Sequence, residues 1–96
     1  MTRTQHLIVI LGEEGVEVSQ RTTKALRFGI DEIQPEQPLN NASRIMQEMA
    51  DMIGVYEMLQ SEGVLPPVNR DMIEAKKIKV ENFLKYSESL GLVSDI

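Results

Sequence analysis

The 96-residue chain predicts an all-α helical bundle, and three observations carry that prediction. Apolar residues recur at helical spacing over three separate segments. Glycine and proline punctuate the chain between those segments. The one stretch with strand character, Leu7–Leu11, is short and runs without a turn into a helical pattern.

The first helix is expected from about Thr4 to Phe28, with Leu7, Leu11, Val18, Ala25 and Phe28 on its apolar face. Gly29 offers the stop, and Ile30 to Pro38 forms a linker holding Pro35 and Pro38. Asn41 is the candidate N-cap of a second helix that ends near Ser61. Its residues Ile45, Met49, Met52, Ile53, Tyr56 and Leu59 keep the helical rhythm, and Met46, Ala50, Val55 and Met58 widen the apolar surface until it nearly wraps the helix. Such a helix is buried on more than one side. Gly63 ends it, and Pro66-Pro67 keeps the turn extended. Asn69 is the expected cap of a third helix, Arg70 to about Tyr86, burying Ile73, Ile78, Val80, Phe83 and Leu84. A short, loosely held tail is expected from about residue 88, marked by Gly91. The whole chain, 1–96, reads as a single domain without repeats or low-complexity segments.

Composition narrows the function classes. A net charge of −5 argues against a general nucleic-acid binder, which needs a basic surface. The absence of cysteine excludes a thiolate metal site, and His6 alone cannot build a zinc centre. No apolar run reaches the ~20 residues of a membrane span. Leu7–Leu11 is too short for a signal-peptide core, so the expected location is the cytoplasm. Three helices cannot cover so wide an apolar surface on the second, which predicts a homo-oligomer whose helices complete a four-helix-like bundle.

Two acidic clusters stand inside otherwise apolar stretches: Glu13-Glu14-x-x-Glu17 and Glu48-x-x-Asp51. Carboxylates three apart lie on one side of a helix, so each cluster aims two oxygen donors at one point. Facing carboxylates from two helices repel unless a cation sits between them, and Mg²⁺ or Mn²⁺ suits such an oxygen cage. The plain alternative is an exposed acidic face, which either motif alone would not exceed. Both together, in apolar surroundings, favour a metal site.

The strings Leu11-Gly-Glu-Glu-Gly-Val-Glu17, Lys24-Ala-Leu-Arg-Phe-Gly29 and Gln47-Glu-Met-Ala-Asp51 resemble MazG-type nucleotide pyrophosphohydrolases. That family carries EExxE on one helix and ExxD on the next. The similarity covers roughly residues 7–60 and extends to the third helix only in general character. Glu17 and Glu48 are 30 residues apart by intervening count, long beside the family's spacing; the proline-containing linker absorbs the excess as an extended loop.

The resemblance implies a MazG-like helical bundle, completed as a homodimer or homotetramer. It also implies Mg²⁺-dependent hydrolysis of a nucleoside triphosphate to the monophosphate and pyrophosphate, in a bacterial cell or, for a phage-encoded chain, in the host cytoplasm. Glu14, Glu17, Glu48 and Asp51 match the metal ligands. Glu13 matches the leading glutamate, and lying ~100° around the helix from Glu14 it suits orientation of water rather than direct ligation. The attacking water needs a base, for which Glu14 and Glu17 are both candidates. Arg21 and Lys24 follow Glu14 and Glu17 at intervals of seven and extend the same face toward the phosphates; an Arg21–Glu17 salt bridge fits equally well. Lys76 and Lys79 share a face of the third helix and are candidates to close over the triphosphate, although a solvated face for Lys76, Lys77 and Lys79 is the simpler reading. Phe28, Asn41 and Tyr56 are candidates for the base pocket, with core packing the simpler role for the two aromatics. A non-catalytic helical assembly module is the alternative function.

Overall fold

The computed structural model describes residues 1–94. Three helices occur among them, α1 (Arg3–Phe28), α2 (Asn41–Ser61) and α3 (Arg70–Ser89), and no strand. The chain divides into two compact units, one of Met1–Pro66 holding α1 and α2, and one beginning at Pro67 that holds α3.

Helix α1 begins one residue earlier than Thr4 because Thr2 and Gln5 form a capping box. Thr2 Oγ1 accepts from Gln5 N at 3.1 Å, and Gln5 Oε1 accepts from Thr2 N at 2.9 Å. Gly29 stops the helix with φ 104°, a backbone conformation open to glycine. The next cap corrects the sequence reading: Asn40 caps α2, its Oδ1 accepting from Ser43 N at 2.9 Å. Asn41 is the first helical residue and is almost fully buried, 2% exposed.

The α1–α2 hairpin is antiparallel. Arg3, at the start of α1, pairs with Glu62, just past the end of α2, at 3.2 Å. At the other end Asn41 Nδ2 donates to the Gly29 carbonyl at 2.8 Å. Between these ties the helices meet along a seam read in steps of four and three. On α1 it contains Leu7, Leu11, Glu14, Val18, Arg21 and Ala25; on α2 it contains Asn41, Ile45, Glu48, Met52, Val55 and Leu59, all buried or half-buried. That spacing is the a/d pattern of a two-helix seam. Three of its positions carry charge where packing alone asks for an apolar group.

The apolar surface of α2 is wider than this seam, as its sequence foretold. Met46, Met49, Ile53 and Met58 remain exposed. Phe28, expected on the buried face of α1, is 54% exposed instead, because α1 ends there and the chain turns away.

In the second unit Asn69 caps α3 as expected, Oδ1 accepting from Met72 N at 3.1 Å. The helix runs to Ser89, past the expected end at Tyr86, so residues 88 and 89 are helical rather than tail. Leu90, Gly91 and Leu92 donate backbone hydrogen bonds back to its last turn. The end of the expected tail, 95–96, lies outside the described residues. The set expected to be buried on α3 is not: α3 has no buried residue, and Ile78 and Phe83 are well exposed.

Candidate metal centre

The hairpin brings the two acidic motifs together near the middle of the seam. One carboxylate oxygen from each of Glu14, Glu17 and Glu48 falls within 4.8 Å of the others. Glu14 and Glu48 reach this point because they occupy seam positions, half-buried between apolar neighbours; Glu17 stands on the exposed flank. Asp51 does not join the close group and is exposed, yet its negative charge acts on both Glu14 and Glu48. Glu13 is exposed on the adjoining face and adds its charge at Glu14.

Electrostatics match the geometry. Burial lifts the Glu14 carboxyl above its ordinary value of 4.5, and the charges of Glu17, Asp51 and Glu13 push it the same way. Glu48 is lifted by burial first, then by a hydrogen bond shared with Glu17 and by the charges of Glu17, Asp51 and Glu14. Glu14 Oε2 and Glu48 Oε2 are buried and have no hydrogen-bond partner among the described residues. Buried carboxylate oxygens are ordinarily satisfied by a donor or a cation. Oxygen donors converging from two helices are the donor set of a hard divalent cation.

Arg21 departs from one of its two expected roles. It forms no ion pair with Glu17, and its Nε and Nη1 are buried without an acceptor. The guanidinium therefore sits in the seam, one turn beyond Glu17, with two donors unspent. Lys24 follows on the same helix, half-buried and making no hydrogen bond or ion pair among the described residues.

A pocket of about 340 Å³ lies at the end of the hairpin near Asn41 and is lined by Lys24, Arg27, Phe28, Glu32, Pro35 and Asn41, among others. Two of the three proposed base-pocket residues, Phe28 and Asn41, thus share a cavity. Tyr56 does not line it: its hydroxyl donates to the Pro66 carbonyl at 2.6 Å and fastens the turn after α2. Both Asn41 amide hydrogen bonds go to the linker, to Gly29 O and to Glu32 Oε1 at 2.9 Å, so its amide donors brace the pocket wall instead of facing a ligand.

Lys76 and Lys79 lie on one side of α3, in the second unit. Lys79 stands 5.9 Å from the centre of the Phe83 ring, and Lys77 pairs with Glu74 at 3.1 Å. His6 is exposed on α1, as an ordinary surface residue. Sequence reasoning missed Glu32 and Arg27, which line the pocket. Arg27 was legible in part, since Arg-Phe-Gly closes α1; Glu32 was not, because its position follows from the path of the linker.

Compared with known proteins, the chain matches no family model, no curated protein and no solved structure. No helix of the described residues is long and apolar enough to cross a membrane.

Proposed function

We propose that this chain is a divalent-metal-dependent nucleoside triphosphate pyrophosphohydrolase of MazG-like type, releasing the nucleoside monophosphate and pyrophosphate. The observation that carries the reading is the convergence of Glu14, Glu17 and Glu48 from two helices, with buried and unpartnered oxygens on Glu14 and Glu48. A purely structural seam has no reason to hold carboxylates there, since leaving them unpaired costs stability.

In this reading Glu14, Glu17, Glu48 and Asp51 hold Mg²⁺, with Mn²⁺ as a substitute. The ion, when bound, neutralises charge on the phosphate oxygens. The chain's own residues do the rest. Arg21 offers two unspent donors, Nε and Nη1, which point to different sides of the guanidinium and can each meet a phosphate oxygen. Lys24 adds a second positive charge farther along α1. Glu14 and Glu17 both stay candidate bases: burial and neighbouring carboxylates raise Glu14 above its ordinary value in the metal-free chain, and a bound cation opposes that shift. Glu13 orients the water from the adjoining face.

The exposed Met46, Met49 and Ile53, on one side of α2, support a homo-oligomer that covers this face. Placing Glu at Ile53 tests that part: the variant is expected to elute smaller than the native protein on calibrated size-exclusion chromatography.

The activity is tested by measuring pyrophosphate release from ribo- and deoxyribonucleoside triphosphates with Mg²⁺ and with EDTA. Release that EDTA abolishes supports the enzyme reading. Silence across the panel from a folded protein that binds Mg²⁺ would leave an unusual nucleotide substrate or the helical assembly module.

A further inference from the structure

We infer that the pocket at the α1–α2 linker is a nucleobase site, and that Glu32 within it selects bases carrying an exocyclic amino group. The inference deepens the nucleotide reading given above and rests on it for the position of the phosphates.

The chemistry along α1 follows a set order. Seven residues beyond Glu17 comes Lys24, about 10 Å along the axis, and Phe28 follows at about 16 Å at the helical rise of 1.5 Å per residue. Carboxylates, then a free cation, then an aromatic ring repeat the order of a nucleotide read from polyphosphate to base. Lys24 belongs to both parts, since it extends the acidic face by one heptad and also lines the pocket.

The pocket has the size and lining of a base site. At about 340 Å³ it falls at the small end of ligand cavities, which run from about 300 to 1,000 Å³, a size suited to one planar ring system. Phe28 supplies an exposed aromatic surface, and Arg27 lies over that ring at 4.9 Å from its centre. Aromatic and guanidinium planes are the usual stacking partners of bases. An aliphatic ligand would make no use of either.

Glu32 is the fixed acceptor of the pocket. Its position is set by a buried clamp: Asn41 Nδ2 donates to Glu32 Oε1 at 2.9 Å, Asn41 N donates to Glu32 O at 3.0 Å, and Ala42 N donates to Ile30 O at 3.0 Å. The far side of the linker is tied down by Arg44 Nη1 donating to Gln34 Oε1 at 2.9 Å. One oxygen of Glu32 is thus committed, and Oε2 is left to accept a further hydrogen bond. An amino group of cytosine or adenine donates to it; the carbonyl of uracil or hypoxanthine at the same ring position meets a carboxylate lone pair and is disfavoured. A site that offers a fixed hydrogen-bond partner rejects the analogue lacking it.

The test is isothermal titration of the intact protein, with Mg²⁺, against two pairs of monophosphates that differ in the amino group, CMP with UMP and AMP with IMP. The native protein is expected to bind the amino member at least roughly tenfold more tightly, a modest share of what hydrogen-bond selection achieves. Glu32→Gln keeps an acceptor for Asn41 and replaces the free oxygen by an amide donor, so the preference is expected to vanish or reverse. Phe28→Ala is expected to weaken all four ligands by a similar factor. Circular dichroism of both variants checks that helix content is unchanged. Equal affinity within each pair for the native protein, or unchanged binding in Phe28→Ala, would overturn the assignment. The same variants assayed for pyrophosphate release separate the two readings. Discrimination among monophosphates without hydrolysis of any triphosphate keeps the base site and removes the enzyme; hydrolysis whose base preference neither variant alters keeps the enzyme and removes the base site.

Discussion

Glu17 on α1 and Glu48 on α2 hold carboxylate oxygens within 4.8 Å of each other across the hairpin seam, with Glu14 completing the group. Like charges so close destabilise the ionised pair, and their repulsion is relieved only by a proton or a cation. Glu48→Gln removes one charge from this group while preserving shape. It is expected to lower Mg²⁺-dependent pyrophosphate release by about 100-fold or more, the scale on which loss of one transition-state stabilising group acts. The same variant is expected to melt higher than the native protein when both are metal-free. Asp51→Asn is expected to lose activity likewise. Calorimetry in EDTA and the release assay check the two halves separately, and full turnover in either variant would remove the metal-site assignment.

The pH dependence has a definite sign. Glu14 and Glu48 both titrate above their ordinary 4.5 in the folded chain. From that value up to their raised folded pKa values the folded state binds more protons than the unfolded state. Their contribution to stability is therefore full below the ordinary value and is lost as pH rises through the raised values. Urea midpoints of the metal-free protein, measured from pH 4.5 to neutrality, are expected to fall more steeply for the native chain than for Glu48→Gln. Mg²⁺ is expected to flatten the native curve, since a bound cation stabilises the ionised carboxylates.

Asn41 clamps the linker to the start of α2. Removing its side chain with Asn41→Ala deletes the bonds to Gly29 O and Glu32 Oε1, leaving Gly29 O only the longer bond from Glu32 N at 3.3 Å. At roughly 1 kcal/mol for each hydrogen bond, a loss of about 2 kcal/mol is expected in denaturant unfolding. Asn40→Ala removes the α2 cap instead, with an expected cost of about 1 kcal/mol. Reversal of that order would mean that Asn41 is not the clamp.

Glu36 is the one described residue other than glycine with positive φ, at 70°. An L side chain in this region carries strain of about 1–2 kcal/mol, and asparagine tolerates it better. Glu36→Asn is expected to raise stability by about 0.5 kcal/mol without touching activity, as read from thermal melts and the release assay.

Local chemistry makes much of this protein legible in its sequence. Helical periodicity located the three helices, because a 3.6-residue repeat of apolar groups records which side must leave water. Glycine and proline located the breaks, since their backbone preferences need no tertiary partner. The acidic motifs also declared themselves, because carboxylates within apolar helices are out of place wherever they pack. The seam partners were beyond that reasoning. Phe28 fits the apolar face of α1 by spacing, yet it is exposed, because what covers a helix end depends on where the following chain goes. Asn40 and Asn41 are chemically identical as caps; the path of residues 29–40 chose Asn40 for the cap and buried Asn41 against Gly29 and Glu32. Arg21 had a salt-bridge partner one turn away in sequence, and the register of the hairpin left its donors buried without it. Periodicity and composition report the preferences of one element at a time, whereas partners, burial and pockets arise only when two elements are fixed against each other.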